Sequence, residues 1–75
     1  MALSRGKCLL RYIRQSSGLT QELLSQVVLE KTGLSISTVM LSQFENTKRL
    51  MSPEQMRALC IVLNCSEVDL YEWPM

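Results

Sequence analysis

Residues Thr20–Asn46, TQELLSQVVLEKTGLSISTVMLSQFEN, decide the fold. Thr20 offers a hydroxyl to an orphan backbone N–H and predicts a helix start. Leu24, Val27 and Val28 follow at i, i+3, i+4, one apolar face. That helix runs to about Lys31. Gly33 ends it, because glycine enters the left-handed conformation of helix ends at little cost. Ser35 or Ser37 then caps the next helix, which extends from about Ser37 to Asn46. Leu41 and Phe44 give this helix a buried edge, and Thr38, Ser42 and Gln43 fall on its other faces. The pattern reads helix, turn, helix. A short second helix with a polar, uncharged front suits the DNA major groove, since Ser, Thr and Gln both donate to and accept from base edges. A plain αα-hairpin inside a helical bundle has the same periodicity.

The rest of the chain is short enough to be read as a shell around that pair. Its 75 residues predict one domain, 1–75, with a modest core. A hydrophobic content of 47% with three Gly and two Pro argues for a compact all-α fold. No Asn-Gly or Asp-Gly hairpin signal is present. The net charge of +1 is low for a nucleic-acid binder, so its distribution matters more. Arg5, Lys7, Arg11 and Arg14 lie early, and Lys48 and Arg49 follow the candidate reading helix. Glu54, Glu67, Asp69 and Glu72 lie in the last third. Three cysteines without framework spacing read as reduced and mostly buried, in a cytoplasmic setting. With no His in the chain, no metal or other cofactor is expected. No apolar run approaches a membrane span.

In chain order, Leu9, Leu10 and Ile13 predict a first helix from about Arg5 to Ser16, capped by Ser4 and ended by Ser17-Gly18. In helix 2, Leu23 and Leu29 stand off the main stripe. They are expected to cover the long connection Thr32–Ile36, a partner surface being the other possibility. Ser52, Pro53 and Gln55 mark the start of helix 4 with a cap, a proline at the first position and a capping box. Met56, Leu59, Cys60 and Leu63 make its core stripe. Ile61 and Val62 widen the stripe, which predicts burial on more than one side. Asn64 ends helix 4. Ser66 with Asp69 opens a short helix 5 holding Val68, Leu70 and Tyr71.

IRQSSGLTQ at Ile13–Gln21, LSQFEN at Leu41–Asn46 and SPEQMRALCIVLNCSEVDLYEW at Ser52–Trp73 resemble the lambda-repressor/Cro-like helix-turn-helix family. The resemblance implies a compact five-helix DNA-binding domain with its helix-turn-helix at helices 2 and 3. It implies that Gln21 contacts a phosphate and braces the reading helix. It places Thr38 and Val39 at the first base-facing positions and Ser42 at a later one. Arg14 and Glu45 match an internal ion pair between helices 1 and 3. The stretch from Gln21 to Glu45 departs from the family, being about two helical turns' worth of residues longer than usual. The POU-specific domain, a relative, has a similarly long gap.

These readings together predict a sequence-specific DNA-binding transcription regulator, a repressor, with double-stranded DNA as partner. Thr38, Val39, Ser42 and Gln43 are the candidate base readers. Gln21, Lys7, Arg11, Ser37, Lys48 and Arg49 are the candidate phosphate contacts. A chain this small favours a homodimer on a palindromic operator, through an exposed C-terminal patch of Tyr71, Trp73 and Met75. The other class is a protein-interaction module, antirepressor-like or antitoxin-like, using Leu23, Leu29, Met40 and Met51. An enzyme is not expected: the sequence shows no phosphate loop and no nucleophile with a base beside it.

Overall fold

The computed structural model describes residues 6–72. Four α-helices follow one another: α1 Leu10–Ser16, α2 Gln21–Thr32, α3 Thr38–Glu45 and α4 Pro53–Leu63. The expected fifth helix is a 3₁₀ helix, Glu67–Leu70, in place of an α-helix. The Ser66–Asp69 capping box does form there. Four residues held between two extended flanks leave no room for a full α-helical turn and its ladder.

α1 starts at Leu10, not at Arg5, and the reason is long-range. Residues Gly6–Leu9 are drawn into antiparallel pairing with the end of the chain. The Gly6 N–H donates to Glu72 O at 2.7 Å, Glu72 N–H to Lys7 O at 2.9 Å, and Leu9 N–H to Leu70 O at 2.7 Å. Cys8 and Tyr71 form the bridge between them. A Cβ on Gly6 would stand 3.0 Å from the Glu72 carbonyl oxygen, so only glycine allows this approach without a shift. Lys7 therefore lies outside the helix. Ser4 and Arg5 lie outside the described residues.

α2 begins as its sequence suggests, with the Thr20 hydroxyl accepting the Leu23 N–H at 3.1 Å. It buries Leu24 and Val28 and ends at Gly33, φ 75°. The connection 33–37 is anchored by its own residues. Ile36 is buried in the core, and its carbonyl accepts from the Ser25 hydroxyl. Leu34 packs against the core from the same stretch. Leu23 and Leu29, expected as the cover, are instead 46% and 50% exposed. Ile36 fills the place from within the loop, so no cover is needed.

Ser37, not Ser35, caps α3, accepting the Met40 N–H at 3.1 Å. In α4 the Ser52 hydroxyl accepts from the Gln55 N–H and the Gln55 amide oxygen accepts from the Ser52 N–H. Such caps contribute about 1 kcal/mol each. Ala58, Leu59, Cys60 and Leu63 face the core, but Ile61 is 56% exposed. The wider burial expected of α4 stops at half-buried Val62. Asn64, φ 55°, ends α4 in the left-handed region, and the Cys65 N–H reaches back to Cys60 O at 3.1 Å. This paper-clip closure brings the side chains of Cys60 and Cys65 together. Burial first, then the neighbouring Cys65, pushes the Cys60 thiol up to about 12. Burial raises Cys8 and Cys65 as well, so these free thiols serve as packing groups and make poor nucleophiles.

Tyr71 corrects two expectations at once. It is 2% exposed, and its hydroxyl accepts the Met51 N–H at 3.3 Å. It therefore belongs to the core and not to an exposed C-terminal patch. Its partner Met51 is buried too, and Met40 packs half-buried against the core. The Leu23, Leu29, Met40 and Met51 surface therefore does not assemble. Trp73 and Met75, the remaining members of the C-terminal patch, lie outside the described residues. No helix among the described residues is long and apolar enough to cross a membrane.

Candidate nucleic-acid interface

α3 is held in place by one buried carboxylate. Glu45, at its last position, is only 4% exposed. Arg14 of α1 donates through Nε to Oε2 at 2.7 Å and through Nη2 to Oε1 at 3.2 Å. Gln21 at the start of α2 donates to Oε1 at 3.2 Å, and Arg11 Nε lies 3.4 Å from the same oxygen. Arg14 also donates to Leu19 O at 2.9 Å, which ties in the turn before α2. Burial alone would raise the Glu45 carboxyl. Hydrogen bonds from Arg14 and Gln21, the charge of Arg14 and the Arg11 contact outweigh it and hold the carboxyl below its usual value. Two helices, α1 and α2, thus converge on the end of α3. The Arg14–Glu45 pair is present, and Gln21 braces α3 from α2.

That clamp and the apolar edge set the rotation of α3. Leu41, Phe44 and Glu45 point inward. At about 100° per residue, Val39, Gln43 and Asn46 then form the ridge facing directly away from the core. Val39 is 67% exposed and Gln43 is exposed. Thr38 and Ser42 are half-buried flanks of that ridge. The centre of the open face is therefore Val39 with Gln43, and Thr38 with Ser42 lies to one side. Met40 faces α4, where the Gln55 amide donates to its sulfur at 3.3 Å. Ser37 is exposed at the head of the helix, its oxygen engaged as the cap and its proton free to donate.

The basic residues gather at the other end of α3. The Cys8 N–H donates to Thr47 Oγ1 at 3.2 Å, joining the segment that carries Lys7 to the loop that carries Lys48 and Arg49. Thr47 holds φ 58°, uncommon for a β-branched residue, and turns the chain sharply after α3. Lys48 and Arg49 are exposed, and neither side chain has an ion pair among the described residues. Lys7 Nζ sits 5.5 Å from the Tyr12 ring centroid, a cation–π arrangement that leaves it on the surface. Arg11 is less free than its sequence position suggests. It donates to Asn46 Oδ1 at 2.9 Å besides contacting Glu45. The roles of Asn46 and Thr47 leave no local signal, since they depend on Arg11 and Cys8, far along the chain. Asn46 spans Arg11 and the Ser42 carbonyl, which its amide reaches at 2.9 Å.

Among the described residues no group of three or more His, Cys, Asp or Glu could hold a metal ion. Comparison with known proteins finds one family, described as helix-turn-helix, whose sequence pattern matches residues 10–70. No curated protein and no solved structure matches the chain.

Proposed function

The chain belongs to the lambda-repressor/Cro-like helix-turn-helix family, a family of DNA-binding regulators, and from that premise we propose that it is a sequence-specific transcription repressor of the cytoplasm. α3 enters the major groove of double-stranded DNA. Val39 and Gln43 lead the contact with base edges, with Thr38 and Ser42 beside them. Lys7, Lys48 and Arg49 neutralise phosphates at the C-terminal end of α3, Gln21 donates to the backbone at that same end through the amide proton left over from Glu45, and Ser37 donates at the N-terminal end. Arg11 contributes through the donors left over from Glu45 and Asn46.

The observation that carries this reading is the build of α3. An eight-residue helix with no charge on its open ridge is clamped by Glu45 and flanked by exposed cations at one end. Val39, 67% exposed, lies on that ridge. A repressor of this size acts as a homodimer on a palindromic operator, with half-sites about one turn apart. The dimer contact is proposed for the C-terminal end of the chain, without Tyr71. Selection of bound duplexes from a random pool tests the reading. Recovery of a palindromic motif supports it, and recovery of no motif at any salt concentration refutes it.

A further inference from the structure

Resting on the major-groove reading above, we propose that α3 recognises the 5-methyl group of a pyrimidine through Val39, with Gln43 contacting an adenine about two base pairs away. The operator half-site is then built on A·T pairs. Three observations lead there. First, Val39 is the most exposed of the large hydrophobic residues among those described, and it stands at the centre of the ridge that faces away from the core. Its side chain offers no hydrogen bond, so the only base-edge group it can favour is the thymine methyl. Second, α3, TVMLSQFE, contains no Arg or Lys. The commonest guanine contact, a cation on O6 and N7, is thus unavailable from the reading helix. Third, Gln43 lies one turn beyond Val39 on the same ridge, about 6 Å along the axis, or roughly two base-pair rises. Its amide offers one donor and one acceptor, the pair that matches adenine N7 and N6. Its side chain makes no hydrogen bond to another described residue and is free to do so.

Methyl recognition goes further than a preference for A·T pairs. The group Val39 senses is a methyl, not the rest of the thymine ring. A 5-methylcytosine at that position should be bound better than cytosine, and deoxyuridine worse than thymidine.

The test uses the full chain and the motif recovered from random duplexes. Each thymidine of the half-site is replaced in turn by deoxyuridine, which removes one methyl and leaves every hydrogen bond in place. At one thymidine per half-site the replacement should weaken binding about fourfold, the worth of one buried methyl-sized group. Val39→Ala, an exposed and therefore structurally mild change, should bind the two duplexes alike while keeping the fold. Gln43→Ala should relax selection at the adenine it contacts by at least about fivefold. If the motif is recovered but no deoxyuridine position matters, the methyl assignment is wrong and the regulator reading stands. The methyl assignment also fails, with the regulator reading intact, if Val39→Ala still discriminates thymidine from deoxyuridine. If no motif is recovered, both fall together.

Discussion

Replacing Arg14 with methionine strips the buried carboxylate of Glu45 of its closest partner. Oε2 of Glu45 accepts its 2.7 Å hydrogen bond from Arg14 alone among the described contacts. The Glu45 side chain has no exposure through which water could replace it. Oε1 keeps Gln21 at 3.2 Å and Arg11 at 3.4 Å, so the charge is half-supported, not abandoned. Breaking a buried pair from one side costs about 3–5 kcal/mol, and the surviving partners place this case near 3 kcal/mol. For a domain of this size that lowers the melting temperature by roughly 12–24 °C. The double change, Arg14→Met with Glu45→Leu, removes the stranded charge together with its partner. Arg11 then turns its half-exposed side chain to water. The double variant should therefore recover about 2 kcal/mol relative to Arg14→Met alone. Thermal and urea unfolding followed by circular dichroism read all four corners of the cycle. Equal stability of wild type and Arg14→Met, or a double variant less stable than the single one, refutes the view that Glu45 clamps α3 as a buried anion.

The same carboxylate sets an acid limit. Its folded value is held below the usual 4.5. The stability it contributes is complete above that unfolded value and is lost as pH falls through the lower folded value. Wild type should lose more of its urea midpoint between about pH 5 and pH 3 than Arg14→Met/Glu45→Leu does. Tyr71→Phe leaves the buried Met51 N–H without its 3.3 Å acceptor. It should destabilise by about 1–2 kcal/mol in urea unfolding without changing the affinity of the folded protein for DNA. Lys48→Gln with Arg49→Gln should weaken binding to all duplexes alike, and the recovered motif should be unchanged in a repeat selection.

Local chemistry was legible in the residues, and long-range pairing was not. Thr20, Ser52 and the Ser66–Asp69 pair announce their helix starts because a cap needs only its own next three residues. Gly33 and Asn64 announce ends for the same reason, and both take the left-handed conformation. The inward edge of α3 follows from Leu41 and Phe44, whereas the sequence does not rank Thr38, Val39, Ser42 and Gln43 on its open side. Opposite that edge stands Val39, and the burial of Glu45 favours Gln43 over Ser42 as its neighbour on the open side. α1 starts later than its apolar pattern predicts, because Gly6–Leu9 pairs with residues 70–72, a pairing that helix periodicity cannot report. Tyr71 has the sequence setting of a surface aromatic, and its pairing with Cys8 and its bond to Met51 put it in the core. Among the candidate phosphate contacts, Arg11 is partly claimed by Asn46 and Glu45, partners that lie 35 and 34 positions away. The basic end of the interface depends on the Cys8–Thr47 hydrogen bond, which joins residues 39 positions apart.

The central claim, that this chain grips duplex DNA through a few cations at one end of α3, is tested most directly by salt. The affinity of the full chain for its selected duplex is measured across a range of salt concentrations. If about three cations engage per protomer of a dimer, the slope of log affinity on log salt should be near −5. A slope near zero contradicts the account.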